Sequence, residues 1–322
     1  MFLNRKYFPI LVTMALFALM MAMGAFRYTG FFSLQVLFNL LIDNAFLLVV
    51  AVGMTFVIVS GGIDLSVGSM IALTTMMSAS LVQQHGVPPL VVIPLVLLFG
   101  CAFGWAMGAI IHYFKVQPFI VTLAGMFLAR GLCYVISLGT ITIDHPAYTS
   151  IAMAKISLPG GSFLSVNVVI ALVVVLAGIF VAHYTRFGRN VYALGGSEQS
   201  TLLMGLPVGR TKIGVYVVSG FCSSLAGVIY TFYMLSGYGL HAIGTELDAI
   251  AAVVIGGTLL TGGVGYITGT FFGVLIYGVI QTLISFEGTL SSWWTRIAIG
   301  VLLFVFIVLQ RALSARRSTV KL

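Results

Sequence analysis

The sequence predicts an all-α fold, a polytopic membrane protein of about ten transmembrane helices. Hydrophobic residues make up 60% of the 322 residues and charged residues only 7%, and the mean hydropathy is +1.16. In soluble proteins about a quarter of the residues are charged. Apolar runs of about 20 residues, the length that a helix needs to cross a bilayer, recur along the whole chain. The short alternating segments of a membrane β-barrel are not found.

The ten spans follow from these apolar runs. They are expected at about residues 8–26, 34–60, 66–82, 90–111, 118–137, 166–183, 213–235, 247–255, 266–284 and 291–310, the eighth continuing past a pair of glycines. The first run follows basic residues, as in a signal peptide. It is nevertheless long enough to span a membrane, so we expect an uncleaved first helix. A polar stretch at 139–165 separates the fifth span from the sixth.

The lysine and arginine residues orient the chain, because cytoplasmic loops of membrane proteins are enriched in them. With a cytoplasmic N-terminus, eleven of the fifteen fall in inside segments, namely Arg5, Lys6, Lys115, Arg186, Arg189, Arg210, Lys212, Arg311, Arg316, Arg317 and Lys321. Arg27 and Lys155 fall outside, and Arg130 and Arg296 lie within or at the edge of spans. We therefore expect both termini in the cytoplasm and a single transmembrane domain over residues 1–322. The charges follow this topology, so no nucleic-acid partner is expected.

A polar break interrupts the apolar chain between the second and third spans. It contains Ser60, Gly61, Gly62, Asp64 and Ser66, and we include all five among the candidates for a substrate path. Glycines weaken a helix, and polar groups in hydrocarbon must be paired or face water. Two interpretations remain open. The break is a tight cytoplasmic turn with Asp64 capping the next helix, or it is a helix interrupted inside the membrane.

A second break resembles the first. Gly61-Gly62-Ile-Asp-Leu-Ser-Val-Gly matches Gly256-Gly257-Thr-Leu-Leu-Thr-Gly-Gly at both initial glycines, a leucine, a hydroxyl and the final glycine, at an offset of 195 residues. Many transporters are built from internal repeats whose glycine-interrupted helices meet at the substrate site. We therefore predict a repeat and add Gly256 and Gly257 to the substrate path. Five matches in a glycine-rich chain can also arise by chance.

Polar side chains within the spans are further candidates for the substrate path. They are Asp43, Asn44, Thr55 and Gln281, with Asn39 nearby. A lone acid inside a membrane is a functional candidate by default, and Arg130 is a possible partner for Asp43. The other polar groups could instead be hydrogen bonds between helices. For Thr245 and Asp248 a capping box before the eighth span is favoured over a substrate role.

The basic loop at about 185–212 predicts a surface for a partner. Its candidate residues are Gly195, Gly196, Ser197, Glu198, Leu202, Leu203, Met204 and Gly205. Ser197 or Gly196 can cap a short helix with Glu198 in its first turn, and Gly205 and Pro207 end that helix after about two turns. Its apolar residues would be exposed, which favours insertion into a groove of a partner protein. The alternative is an amphipathic helix resting on the bilayer.

Motifs for enzyme chemistry are missing from the sequence. No lysine follows a glycine, so the chain has no phosphate-binding P-loop, and neither a His-Glu-x-x-His nor a Gly-x-Ser-x-Gly sequence occurs. The three cysteines lie in apolar runs without metal-ligand spacing, and the five histidines are scattered. We expect no catalytic residues, no metal and no cofactor, and therefore a protein that is not an enzyme.

Several motifs carry a resemblance to a known family. They are Ser-Gly-Gly-Ile-Asp-Leu-Ser-Val-Gly at 60–68, the loop at 195–205, Glu-Leu-Asp-Ala-Ile-Ala at 246–251 and the glycine-rich sequence at 256–265. Together they resemble the permease subunits of bacterial sugar ABC importers of the ribose, xylose and galactose type. Asp-Asn-Ala-Phe-Leu at 43–47 and Gly-Thr-Leu-Ser-Ser-Trp-Trp-Thr at 288–295 bring the resemblance closest to the permeases of galactofuranose importers.

The resemblance implies a multi-pass protein in the lipid of the bacterial inner membrane, supplied with sugar by a periplasmic binding protein. A separate ABC-type ATPase would dock on the loop at 195–205. Where family members often carry Glu-Ala-Ala in this loop, the chain has Glu-Gln-Ser at 198–200. Galactofuranose importers pair two different permeases, so the resemblance implies a heterodimer. Ribose or xylose remain alternative substrates, and an ion-coupled secondary transporter with Asp43 as its proton or sodium site is an alternative class.

Overall fold

The computed structural model describes residues 8–158, 161–291 and 293–318. These residues form fourteen α-helices and four short strands. The helices are α1 Phe8–Arg27, α2 Leu34–Asp43, α3 Ala45–Val59, α4 Val67–Ala79, α5 Pro89–Tyr113, α6 Pro118–Ile136, α7 Pro146–Met153, α8 Val166–Tyr184, α9 Arg186–Gly196, α10 Glu198–Leu203, α11 Val208–Met234, α12 Thr245–Ile255, α13 Ile267–Glu287 and α14 Trp293–Ser318. A π-helical turn, Ser80–Gln84, extends α4.

Six helices in the described part of the chain are long and apolar enough to cross a membrane, namely α1, α5, α6, α8, α11 and α13. Helices α2 and α3, bent by 59° at their junction, make a seventh span if they are counted together. The polytopic helical fold is therefore confirmed. Ten helical spans are not found among the described residues, because α4 and α12 have only 13 and 11 residues and the described apolar stretch of α14, Trp293–Val308, is among the shorter apolar helices.

The two short helices explain most of this difference. Residues 62–66 before α4 and residues 238–244 before α12 are non-helical, and residues 62–66 are largely buried in the protein. The first turns of α4 and α12 meet, since a Cβ added at Gly68 would overlap the Glu246 carboxylate. A helix of 11 residues is about 16 Å long, roughly half of the hydrocarbon thickness. The third and eighth predicted spans are thus part helix and part irregular chain, which a membrane protein tolerates where the backbone is enclosed by protein.

The core of the bundle lies around α3, α4, α11 and α12. Every residue of α3 except Phe46, and every residue of α4 except Met77, is buried. Helix α11 packs against α3, α4 and α5, and glycines allow the closest approach: a Cβ at Gly104 or Gly220 would overlap backbone atoms of the facing helix. The outward faces of α5, α6 and α8 are apolar and exposed, as expected for surfaces that face lipid.

The bend between α2 and α3 lies at Asn44. The Asn44 side-chain amide donates a hydrogen bond over 2.9 Å to the carbonyl of Leu40, which the bend separates from its helical partner. Gly278 on α13 makes room for this side chain, since a Cβ there would lie 2.7 Å from Asn44 Nδ2. Asn44 is 4% exposed and its amide group is already used by the fold. The break at the end of α2 therefore has a local polar cause.

The bundle has two distinct ends. We call the end that carries α9, α10 and the basic residues Arg186, Arg189, Arg210 and Lys212 the basic end. At the opposite end the polar stretch at 139–165 forms α7 and three strands: β1 Ile141–Thr142, β2 Lys155–Ser157 and β3 Phe163–Ser165. Strand β1 pairs antiparallel with β4, Ser236–Gly237, and β2 pairs antiparallel with β3.

Candidate substrate cavity and coupling surface

The first glycine pair ends α3 with a hydrogen-bonded C-cap. The Gly61 N–H donates to the Ile58 carbonyl over 2.9 Å, and the Gly62 N–H donates to the Val57 carbonyl over 3.0 Å. Gly61 has φ +84°, the left-handed conformation that glycine adopts without a steric penalty. These are the two bonds of a Schellman motif, which satisfies the last carbonyls of a helix.

The second break ends α12 in the same way. The Gly257 N–H donates to the Val254 carbonyl, the Thr258 N–H donates to the Val253 carbonyl, and Gly257 has φ +91°. The structural equivalent of Gly61 is therefore Gly257, at an offset of 196 residues. The predicted offset of 195 is wrong by one residue. The sequence comparison aligned identical residues, whereas the geometry of the two helix caps makes Gly61 equivalent to Gly257 and Gly62 equivalent to Thr258.

The two breaks and the basic loop meet at the basic end. The Gly263 N–H donates a hydrogen bond over 2.8 Å to the Val59 carbonyl at the end of α3. Gly195 at the end of α9 packs against the same carbonyl so closely that an added Cβ would overlap its oxygen. Gly262 lies beside the Gly61 backbone. The turn and the interrupted helix, the two interpretations of the break, each describe one part of it. The glycines form a turn at the basic end, and the residues that follow run back into the protein.

Asp64 lies in the buried segment after the first break. Its Oδ1 accepts hydrogen bonds from the Ser66 N–H over 2.9 Å and from Ser66 Oγ over 2.6 Å, and its Oδ2 accepts one from Ser219 Oγ over 2.6 Å. Asp64 is 1% exposed. The residue preceding α4 is Ser66, so the interpretation in which Asp64 caps the next helix does not hold. The carboxylate instead fixes the non-helical segment to α11.

A polar cavity of about 820 Å³ lies elsewhere, between α2, α3, α11, α12, α13 and the start of α14. Its walls contain the predicted residues Asp43, Asn44 and Gln281, together with Asn39. The other lining residues are Val36, Phe46, Leu47, Tyr233, Thr245, Asp248, Tyr277, Gly278, Thr282, Ile284, Ser285, Phe286, Gly288, Leu290 and Thr295. This volume is typical of small-molecule sites, which range over roughly 300–1,000 Å³.

Most predicted members of the substrate path do not line this cavity. They are Thr55, Ser60, Gly61, Gly62, Asp64, Ser66, Gly256 and Gly257. The four glycines lie at the ends of α3 and α12, Ser60 Oγ donates a hydrogen bond to the Val57 carbonyl, and Ser66 Oγ donates one to Asp64. Thr55 Oγ1 bonds to the Ala51 carbonyl and to Thr270 Oγ1 over 2.8 Å, so it joins α3 to α13. For Thr55 the alternative interpretation, a hydrogen bond between helices, agrees with the structure.

Asp43 and Arg130, which the sequence suggested as possible partners, have different partners in the structure. The Tyr233 hydroxyl donates a hydrogen bond to Asp43 Oδ1 over 3.1 Å. Arg130 Nη1 donates to the carbonyls of Gly239 and His241, over 2.6 and 2.8 Å. Arg130 therefore holds the non-helical segment between α11 and α12. A cation inside a span can be satisfied by backbone carbonyls as well as by an acid, and the sequence does not distinguish the two.

The capping box predicted at Thr245 and Asp248 does not form. The residue before α12 is Gly244, which has no side chain, and Thr245 is already helical. Thr245 and Asp248 both line the cavity, and Asp248 interacts with the Tyr277 hydroxyl on α13. The substrate role, which the sequence had ranked second, fits their position. The sequence did place an acid, Asp248, within a predicted span, which indicates a functional role. The similarity to a capping box led us to prefer the cap.

At the basic end, α10 has the predicted form. Ser197 precedes it and its Oγ accepts a hydrogen bond from the Ser200 N–H over 3.2 Å. Beyond its C-terminus Gly205 adopts φ +73°. Leu202, Leu203 and Met204 are 65%, 82% and 64% exposed, so the helix presents an apolar tip at the basic end. We call these three residues the apolar tip.

Helix α9 joins the apolar tip to the second break. The Tyr192 hydroxyl donates a hydrogen bond over 2.7 Å to the Gly265 carbonyl. Burial raises the pKa of Tyr192 to about 12, so its hydroxyl remains a donor at neutral pH. Lys212 Nζ lies 2.7 Å from the Glu198 carboxylate and ties α10 to the start of α11. The basic loop is therefore attached to the core helices at several points.

An apolar helical bundle with a cavity lined by polar residues and an apolar tip at its basic end has the architecture expected of the membrane component of a transport system. Residues 36–307 match the family described as branched-chain amino acid transport system / permease component. The chain belongs to this family of permeases and is a multi-pass protein of the bacterial inner membrane.

Three individual relatives of the chain are described as permeases. The chain is similar to the inner membrane ABC transporter permease protein YjfF of Escherichia coli K12, with 51% identity over 96% of this chain and 94% of the relative. It is also similar to the fructose import permease FruG of Bifidobacterium longum, with 42% identity over 97% and 93%, and to the ribose import permease RbsC of Haemophilus influenzae, with 39% over 89% and 88%. The resemblance to sugar ABC importer permeases is confirmed. None of the solved structures matches the chain.

Proposed function

We propose that this chain is the membrane-spanning permease subunit of an ATP-driven importer that carries galactofuranose across the inner membrane. The observation that supports a sugar most directly is the composition of the cavity. Its polar groups are two carboxylates, amides, phenols and hydroxyls, and no Lys, Arg or His occurs among the lining residues described. Such groups donate to and accept from the hydroxyls of a neutral sugar.

The cavity disfavours the substrate in the family description. A free amino acid carries a carboxylate, whose strongest side-chain partner is a cation. Asp43 and Asp248 could pair with the ammonium group of an amino acid, but no Lys, Arg or His among the lining residues described is available for its carboxylate. A neutral sugar has no carboxylate that needs such a partner. The relatives FruG and RbsC, described as fructose and ribose import permeases, are consistent with this choice.

The driving force is proposed to come from a partner protein. The sequence has no P-loop, and we infer that an ABC-type ATPase receives the apolar tip in a groove. This assignment puts the basic end in the cytoplasm, as the distribution of lysine and arginine favours. Residues Gly195, Gly196, Ser197, Glu198, Leu202, Leu203, Met204 and Gly205 would form the coupling element. A conformational change at the ATPase would reach α3 through the contacts of Gly195 and Gly263 with Val59.

The remaining partners are inferred from the family. We propose that a periplasmic sugar-binding protein delivers the substrate at the end opposite the basic end. We further propose that a second, different permease completes the pathway as a heterodimer. Neither nucleic acid nor a bound cofactor has a role in this proposal.

Reconstitution tests the proposed function. Proteoliposomes containing the chain, its second permease and its ATPase are supplied with loaded binding protein and labelled sugars. We expect galactofuranose uptake that requires ATP on the cytoplasmic side of the membrane and loaded binding protein on the opposite side. Faster uptake of ribose or xylose would replace the proposed substrate. Uptake driven by a proton or sodium gradient, without ATP and ATPase, would overturn the importer class in favour of an ion-coupled transporter using Asp43.

A further inference from the structure

The cavity contains two similar pairs of side chains from different helices. In the first pair, Asp43 at the end of α2 accepts a hydrogen bond from Tyr233 at the end of α11, over 3.1 Å. Asp43 and Tyr233 are both exposed to the cavity, and they come from positions 190 residues apart. Only the fold brings this carboxylate and this phenol together.

The second pair lies on α12 and α13. Asp248, in the first turn of α12, interacts with the Tyr277 hydroxyl, and Tyr277 also interacts with Gln281 one turn further along α13. All three residues line the cavity. Helix α12 begins about halfway through the bundle, so this pair lies at mid-depth. In transporters built with interrupted helices, the substrate site is found at this depth.

Neither carboxylate has a cation in contact. The ion pairs of the described residues are Arg27 with Glu287 and Lys212 with Glu198, both outside the cavity. Arg296 acts on Asp248 only through space. Each aspartate thus keeps acceptor positions open toward the cavity, because a carboxylate has about four lone-pair sites and one phenol occupies one of them. Unlike Asp64, whose two oxygens are satisfied by serines, these acids face a cavity, and an acid in that position within a membrane protein is by default a candidate for a functional site.

We propose that these two aspartate–tyrosine pairs form a monosaccharide-binding site within the permease itself, a proposal that rests on the proposed function. Each carboxylate accepts hydrogen bonds from hydroxyls of the sugar, and the phenols hold the carboxylates in place and contact the apolar faces of the sugar ring. The sugar therefore pauses at mid-depth after the binding protein has released it. Asp248 and Tyr277 set which hydroxyls are accepted, and Asp43 and Tyr233 close the site from the other side.

The site is tested by removing single acceptors and donors. Asp248→Asn keeps the shape of the side chain and removes its charge, and Tyr277→Phe removes only the hydroxyl. Tyr113→Phe, the same change as Tyr277→Phe at an exposed tyrosine at the end of α5, is the matched control. The variants are made in the complete complex, and co-purification with the ATPase subunit reports whether each one assembles. Two quantities are measured: ATP-dependent uptake at saturating loaded binding protein, and saturation-transfer NMR of the sugar with the reconstituted complex lacking the binding protein.

Loss of a hydrogen bond to a charged group lowers the affinity for a ligand about tenfold or more. We therefore expect Asp248→Asn to lower uptake about tenfold and to abolish saturation transfer, with a smaller loss for Tyr277→Phe and none for Tyr113→Phe. Wild-type uptake and saturation transfer in both cavity variants would overturn the site while leaving the proposed function intact. Absence of ATP-dependent sugar uptake by the wild-type complex would instead overturn both proposals. If Asp248→Asn fails to assemble, Tyr277→Phe decides the question.

Discussion

Ser219 Oγ donates a hydrogen bond over 2.6 Å to Asp64 Oδ2, joining two residues that lie 155 positions apart in the chain. Through this bond α11 holds the non-helical segment between the first glycine break and α4. Both residues are at most 1% exposed, so water cannot replace either partner. The contact is one reason why an irregular segment is stable inside a bundle that otherwise consists of helices.

Replacing Ser219 with alanine should destabilise the protein. The substitution leaves a buried carboxylate oxygen without its donor, which costs about 1.5–3 kcal/mol for a charged acceptor. The measurement is the thermal unfolding midpoint of the purified protein in detergent. Ser223→Ala, one helical turn further along, is the control, because the Ser223 hydroxyl bonds only to the Ser219 carbonyl of its own helix. Equal midpoints for the two variants would contradict this role of Ser219.

Gly195→Ala should disrupt the contact between α9 and the first break. The new methyl group would overlap the Val59 carbonyl oxygen, whereas Gly196, its neighbour, has no atom within 4 Å of an added Cβ. Overpacking of this kind costs about 1–3 kcal/mol. We expect lower thermal stability and reduced ATP-driven uptake for Gly195→Ala, with thermal stability unchanged for Gly196→Ala. Similar behaviour of the two alanine variants would show that α9 does not depend on this close approach.

Leu203→Asp should prevent the ATPase subunit from binding. Leu203 is the most exposed residue of the apolar tip, so a charge there leaves the fold intact but is excluded from an apolar groove. The test is co-purification of the ATPase with a tagged permease from membranes. Leu138→Asp, at an exposed leucine beyond the end of α6, serves as the control and should retain the ATPase. Retention of the ATPase by Leu203→Asp would remove the apolar tip from the coupling surface.

Arg130→Gln should loosen the segment between α11 and α12. The carbonyls of Gly239 and His241 each lose a donor on a charged group, and such bonds are worth about 1.5–3 kcal/mol each. We expect a lower unfolding midpoint and faster proteolysis near residues 238–244. Arg189→Gln, at an exposed arginine of the basic end, should leave both quantities near their wild-type values. A wild-type midpoint for Arg130→Gln would mean that these carbonyls need no donor.

Much of the coupling surface could be predicted from local sequence. Ser197 caps α10 and Gly205 follows its end, because caps depend on residues that are close in the chain. The apolar tip follows from the same local pattern. Of the residues predicted for the substrate path, Asp43, Asn44 and Gln281 line the cavity, since a polar residue in a span can equally well be a contact between helices, as Thr55 is. Asp248 was assigned first to a cap and Tyr277 was not predicted, because the cavity that they share is formed by two different helices.

Composition and the lengths of the apolar runs were sufficient to establish a polytopic helical membrane protein, since transfer of a segment into lipid depends on its own residues. Motifs in the order of the chain were sufficient to indicate the permease family. The tertiary structure alone decided that the two glycine breaks meet at the basic end and that the polar cavity lies away from them. It also decided that α4 and α12 are half-length helices. The physical reason is that these features depend on contacts between residues far apart, such as Asp43 with Tyr233 and Asp64 with Ser219.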